Sequence, residues 1–330
     1  RMIGAVDIGG TKIAVGMVDE DGQVVARAEC PTDAERGPAD GLDRITALLR
    51  ATAAQADARL AGIGVGCTGP VYPLEGTLGD VPFLPGWQGV NLVGELAARF
   101  GVTAAMENDA DAAALAEARW GAGRGVGSFI YVTVSTGIGT GMVIDGKLYR
   151  GVDGAHPEIG HHVIDASGPL CYCGARGCWE SLASGPALAA WFEATYPGVA
   201  LGSGPLDARR ICDAAEQGDP RAQAAIDRLG YTIGLGLANL ITLFVPDVIA
   251  LGGGVMQSRH LFWDRMQDTI RATCGLVPHE RVRVVPAALG AEAPLAGAAS
   301  AWLHRLRRGV AGISARAPQA TALSIPKHGE

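Results

Sequence analysis

No run of apolar residues in this 330-residue chain is long enough to span a membrane. The longest candidate, Ile233 to Val245, is broken by Gly234, Gly236 and Asn239. A surplus of basic charge is also missing. Lys and Arg number 27 against 34 Asp and Glu, for a net charge of -7, which argues against nucleic acid as a partner because a phosphate backbone demands a basic face. The seven cysteines form no even-numbered framework, and Cys30, Cys67, Cys212 and Cys274 stand singly in apolar or helical surroundings. That scatter suits a reducing cytoplasm. No signal-peptide pattern precedes the first strand, which begins at Met2 or Ile3. A Walker A loop is absent too, since strands rather than a Lys-Ser/Thr helix follow the glycine turns.

What is present describes a folded protein of two domains: 48% apolar residues, 18% charged, and a length beyond one simple core. Between Gly154 and Glu180 the chain reads GAHPEIGHHVIDASGPLCYCGARGCWE. His161 with Cys171, Cys173 and Cys178 supplies the Cys3His donor set of a closed, structural tetrahedral zinc site. Glu158 and Glu180 flank that set and can accept hydrogen bonds from a polyhydroxylated ligand. His156 and His162 read as spare histidines.

Two stretches share a plan. Residues 2–29 run a strand into Gly9-Gly10 and out along a second strand, with a further turn at Asp21-Gly22. Residues 129–149 do the same through Gly137 and Gly139, then turn at Asp145-Gly146. Two such units predict related α/β domains facing each other across a cleft, with small turns whose free N–H groups can hold an anion. Helices are expected over 42–60, 89–100, 109–120, 258–274 and 293–308, and over 219–245 as one helix or a broken pair. Asn108 or Asp109 is the N-cap of the third. Asp7, ending a strand beside the glycines, can hold Mg2+ or its waters. Gly9, Gly10 and Thr11 can donate to terminal phosphates, with Lys12 adding charge. Thr136 and Gly137 are placed to grip from the opposite side.

With DIGGTK at 7–12, ENDADAAALAE at 107–117, STGIGTG at 135–141, EIGH at 158–161, CYCGARGCWE at 171–180 and LANLITLFVPDVIALGGGV at 237–255, the chain resembles the ROK family of bacterial sugar kinases and sugar-responsive repressors over residues 3–308. The resemblance implies the actin-like, duplicated ribonuclease-H-type α/β fold, two domains around a cleft. It implies ATP and Mg2+ dependence and phosphorylation of a hexose hydroxyl, usually at C6. Residues 1–119 with about 297–316 would form the small domain, 120–296 the large one, and 317–330 a flexible tail, with the hinge near Trp120 to Gly127.

The resemblance further implies that Asp109 is the general base for the sugar hydroxyl. Gly69, Asn108, Glu158, His161 and Glu180 are sugar contacts, and Gly252, Gly253 and Gly254 pass against the adenosine. It implies a homodimer or a dimer of dimers. Glucose is the leading substrate, with N-acetylmannosamine, N-acetylglucosamine, mannose and fructose as alternatives. A DNA-binding repressor would need a domain ahead of Ile3. Asp111 reads as helix surface. The chain departs from the family pattern at Phe83, in place of a polar residue before Leu84-Pro85-Gly86-Trp87, and at Thr68, in place of a proline.

Overall fold

The computed structural model describes residues 2–307. The end of the expected small-domain segment, 308–316, and the tail 317–330 lie outside the described residues. Strands β1 (Met2–Ile8), β2 (Lys12–Val18), β3 (Val24–Pro31) and β4 (Leu60–Cys67) build a first sheet that is completed by β7 (Ala104–Asn108). A small hairpin, β5 (Val71–Tyr72) and β6 (Thr77–Leu78), lies between them in sequence. The order is β3-β2-β1-β4-β7, antiparallel through β3, β2 and β1 and parallel beyond. The second sheet uses β8 (Ser128–Val134), β9 (Ile138–Ile144), β10 (Lys147–Leu148), β11 (Val248–Gly252) and β12 (Arg283–Pro286). Its order, β10-β9-β8-β11-β12, has the same sequence of antiparallel and parallel pairings. The internal duplication read from the two glycine hairpins is therefore a duplication of topology.

The central strands are buried on both faces rather than alternating, because helices cover both sides of each sheet. Helix α1 (Gly37–Gln55) covers the outer face of the first sheet with α2 (Leu92–Phe100). The helix expected over 42–60 thus starts earlier and stops before β4, since Leu60 already pairs with Met2. Between the sheets lie α3 (Asp109–Trp120) and the last helix, Ala293–Arg307. The last helix packs against β1, β4 and α3, and α3 packs against β8 and β9. Small residues permit this double layer. A Cβ on Gly64 would lie 1.7 Å from the Ala298 carbonyl oxygen, and one on Gly141 would lie 2.5 Å from Ala114 Cβ. The alanine-rich composition of α3 is the other half of that close approach.

The outer face of the second sheet carries α4 (Trp179–Ala183), α5 (Gly185–Thr195), α6 (Ala208–Glu216), α7 (Pro220–Phe244) and α8 (Trp263–Thr273). The helix Ala293–Arg307 is then α9. The glycines of α7 do not break it. Gly234 and Gly236 are contact points, where Thr269 and the Trp179 indole lie too close for any side chain. A 3-10 segment over Gly254–Leu261 precedes α8, so the helix expected over 258–274 begins only at Trp263.

The chain leaves α3 for β8 through residues 121–127 and returns before α9 through 287–292. Glu117, fully buried, pins both crossings. Its carboxylate accepts from Ala122 N–H at 2.8 Å, from Ala288 N–H at 2.9 Å and from Leu289 N–H at 2.8 Å. Three backbone donors meet the need of a buried charge for hydrogen-bonded partners.

Candidate functional site

The first glycine turn joins β1 to β2 and is closed by Gly9 N–H donating to the Lys12 carbonyl at 3.0 Å. Buried Thr32 braces it from behind, donating through Oγ1 to the Gly9 carbonyl at 2.7 Å and through its N–H to the Thr11 carbonyl at 3.0 Å. Gly10 and Thr11 are exposed, and the Phe83 ring lies against Gly10, 3.1 Å from where its Cβ would stand. Phe83 therefore walls the turn itself. The Lys12 ammonium pairs with Glu29 at 3.1 Å on the exposed edge.

Asp7, at the end of β1, and Asp109, at the start of α3, line one cavity of about 250 Å³ with Gly9, Thr68, Tyr131 and Thr133. Burial pushes the Asp7 carboxyl up to about 6, and the charge of Asp109 adds to the rise while Lys12 opposes it. Two carboxylates around one space make a site that gains from a cation. Asp109 is held by two donors: Thr68 Oγ1 at 2.8 Å from Oδ2 and Ala110 N–H at 2.8 Å from Oδ1. Asn108 caps α3, its side-chain oxygen accepting from Ala110 N–H at 2.9 Å, an arrangement worth about 1 kcal/mol. Gly69 lies beside it, with room for a Cβ only 3.2 Å from Asn108 Nδ2.

The second glycine turn, between β8 and β9, is closed by Ser135 N–H donating to the Gly137 carbonyl at 2.9 Å, with Thr136 exposed at its tip. Gly253 and Gly254 follow β11 and lie across residues 133–135. A Cβ on Gly253 would sit 2.3 Å from the Val134 carbonyl oxygen, and one on Gly252 would sit 2.4 Å from the Tyr131 hydroxyl.

Glu180 connects this turn to the cysteine knot. Its Oε2 accepts from Ile138 N–H at 2.8 Å and fills the space where a residue-137 side chain would stand. Its Oε1 lies 4.0 Å from His161 Nε2. The donor atoms of His161, Cys171, Cys173 and Cys178 all lie within 4.8 Å of one another. His161 Nδ1 is 3.5 Å from Cys171 Sγ, and Cys173 Sγ is 3.4 Å from Cys178 Sγ. The edges of a tetrahedron with metal–sulfur and metal–nitrogen bonds near 2.3 and 2.0 Å are about 3.5–3.8 Å, which these two separations approach, and three cysteines with a histidine are a donor set suited to zinc. All three cysteines are free thiols. Trp179, fully buried, anchors the knot on α7, where its Nε1–H donates to the Thr232 carbonyl at 3.0 Å. Glu158, exposed, precedes the turn carrying His161.

Three features of the site escaped the sequence reading. Thr68 orients Asp109. Tyr172, between two candidate metal ligands, places its hydroxyl 3.0 Å from His161 Nε2. Asp111, expected on the helix surface, is fully buried and bonded to His156 Nδ1 at 2.9 Å. The correction has a plain cause: the loop after β10 folds over this face of α3. No helix among the described residues is long and apolar enough to cross a membrane.

Glucokinase from Thermotoga maritima is 34% identical over 278 residues, covering 82% of this chain and 87% of its own. The ROK hexokinase of Thermus thermophilus superposes with a TM-score of 0.83 at 34% identity, covering 94% of this chain and all of that one. A ROK family glucokinase from Streptomyces griseus, solved with glucose and AMPPNP, gives 0.75 at 35% identity, covering 93% of this chain and all of that one. Those neighbours carry the actin-like ATPase fold, which the paired sheets here reproduce. The ROK family sequence model matches residues 3–305, and the chain belongs to that family.

Proposed function

We propose that the protein is an ATP-dependent glucokinase, transferring the γ-phosphoryl group of ATP to the 6-hydroxyl of glucose. The observation that carries this reading is the shared cavity. Asp109, fixed by Thr68 and Ala110 N–H, opens on the same space as Asp7 and the first glycine turn. Supporting it are the glucokinase and hexokinase relatives at about a third identity over most of the chain.

Asp109 accepts the proton of the sugar hydroxyl as that oxygen attacks phosphorus, a role typically worth ~10²–10⁴-fold in rate. Phosphoryl transfer otherwise demands positioning and charge stabilisation. The N–H groups of Gly9, Gly10 and Thr11 and the Thr11 hydroxyl hold the terminal phosphates from one side, and Thr136 and Gly137 from the other. Lys12 contributes long-range charge. Asp7 would hold the Mg2+ that accompanies ATP, an ion that would neutralise charge on the phosphates. Gly252, Gly253 and Gly254 offer a flat, side-chain-free surface to the adenosine.

Asn108, Glu158, His161, Glu180 and the backbone at Gly69 take the sugar hydroxyls. With Nδ1 turned to the cysteines, His161 keeps its proton on Nε2 and can donate it to a hydroxyl or to Glu180. His161, Cys171, Cys173 and Cys178 would hold zinc, which supplies rigidity to the loop rather than chemistry. Residues 2–119 with α9 would form one lobe and 120–292 the other, closing about the two crossings that Glu117 pins. A panel of hexoses in a coupled ADP-release assay tests the reading. Glucose is expected to give the highest kcat/KM, and a preference for an N-acetylhexosamine, mannose or fructose would replace it.

A further inference from the structure

Beside the proposed sugar site, four ionisable side chains are largely packed out of solvent. Glu107 is the next-to-last residue of β7, before Asn108, and Asp111 lies one half-turn into α3 beyond Asp109. Arg150 and His156 come from the loop that leaves β10 and runs into Glu158 and His161. The Arg150 guanidinium donates to the Glu107 carboxylate, lies 4.0 Å from Asp111 Oδ2, and reaches the Gly154 carbonyl at 3.3 Å. His156 Nδ1 lies 2.9 Å from Asp111 Oδ2. Side-chain exposure is 9% for Glu107, 8% for Arg150, 1% for Asp111 and 16% for His156.

Buried charges of this kind are poor stabilisers, because desolvation offsets their attraction, but removing one partner is costly. They act instead as a register device, since one relative placement of the two segments satisfies them. Asp111 Oδ1 has no hydrogen-bond partner, so the side chain is held through Oδ2 alone. The hydrogen bond and charge of Asp111 outweigh burial and hold the His156 imidazole above its ordinary pKa, favouring the protonated partner.

We propose that Asp111, His156, Glu107 and Arg150 are positioning residues for sugar phosphorylation. They lock the loop bearing Glu158 and His161 onto the Asn108-Asp109 corner, so that sugar contacts and base move as one unit. The inference rests on the kinase reading above and adds that affinity for sugar and placement of the base are coupled through this clasp. None of the four touches substrate; they act through Asp109, Glu158 and His161. ATP contacts at Gly9–Thr11 and Gly252–Gly254 lie on other segments and are independent of it.

The test uses the full chain as wild type, His156→Ala, Asp111→Ala, the double variant, and Asp111→Asn, with sugar and ATP varied separately. His156→Ala is expected to raise the sugar KM about 10-fold and lower kcat by a similar factor, with the ATP KM within about 2-fold of wild type. The double variant should be no worse than the more impaired single one, because both remove one interaction. Asp111→Asn, which keeps a hydrogen-bond acceptor, should recover most of the loss. Hydrogen exchange of ligand-free protein supplies a reading independent of activity and of which sugar is turned over: protection over 150–161 should fall in His156→Ala while that of β8 and β9 is kept. A variant too unstable for kinetics is replaced by His156→Gln in the same exchange experiment. Unchanged sugar kinetics with unchanged exchange, equal shifts in both substrate KM values, or multiplying effects in the double variant would overturn the proposal. Failure of wild type across the hexose panel would instead remove the kinase reading and leave the exchange result to decide the clasp.

Discussion

Thr68 Oγ1 donates to Asp109 Oδ2 at 2.8 Å, tying the loop after β4 to the start of α3. The bond fixes the carboxylate rotamer while Ala110 N–H holds the other oxygen. A hydrogen bond to a charged group is worth about 1.5–3 kcal/mol, and its loss acts here on orientation. Thr68→Val should lower kcat about 10-fold or more with little change in sugar KM. Equal kcat would show that Asp109 needs no orientation from this side.

Asp109→Asn keeps the shape and the contact from Thr68 but cannot take a proton. Sugar binding by calorimetry should persist while turnover falls by at least ~10²-fold.

Asp7 offers a pH test whose sign is fixed. Its folded pKa, about 6, lies above the ordinary carboxyl value of 3.8. Burial therefore favours the protonated form, and ionisation costs the native state progressively between pH 4 and 6. Below pH 4 the cost is absent, and above pH 6 it is fully expressed. Asp7→Asn escapes it, so its stability advantage over wild type in denaturant melts should grow from pH 4 to pH 7. The same variant should lose turnover, because it cannot hold the cation that accompanies ATP. A stability difference that shrinks over that window would contradict the assignment.

Disrupting the candidate metal site should act on both substrates. Glu180 follows Cys178 and Trp179 directly and reaches Ile138 N–H in the second glycine turn. Cys178→Ser should reduce zinc from about one per chain to none by elemental analysis. It should also lower the Tm and raise both sugar and ATP KM. A metal-free wild type with full activity would dismiss the site.

Glu117→Ala leaves the N–H groups of Ala122, Ala288 and Leu289 without their carboxylate acceptor and empties a fully buried position. A loss of about 3 kcal/mol or more in unfolding free energy is expected, and Glu117→Gln should lose less.

Much of this was legible in the sequence because the informative groups are local. The glycine turns, the cysteine spacing and the cap at Asn108 each declare themselves within a dozen residues. The doubled topology followed from two hairpins with one plan. What was hidden depends on distant pairing. Thr68 and Asp109 are 41 residues apart, and Asp111 and His156 are 45 apart. Asp111 reads as helix surface in the sequence, since nothing local records that a loop from the second sheet covers it. Glu117 was likewise silent, being one acidic residue in an alanine-rich helix until the returning segment at 288–289 is placed above it. The start of α1 was misjudged because Pro38 at its first turn extends the helix upstream, where periodicity is weak.

The most direct test is a crystal structure of the closed complex with glucose and a non-hydrolysable ATP analogue. The account predicts an Asp109 carboxylate oxygen about 3 Å from the glucose 6-hydroxyl, in line with the γ-phosphorus, and the triphosphate held between the Gly9 and Gly137 turns. A closed complex with Asp109 beyond reach of every sugar oxygen would contradict it.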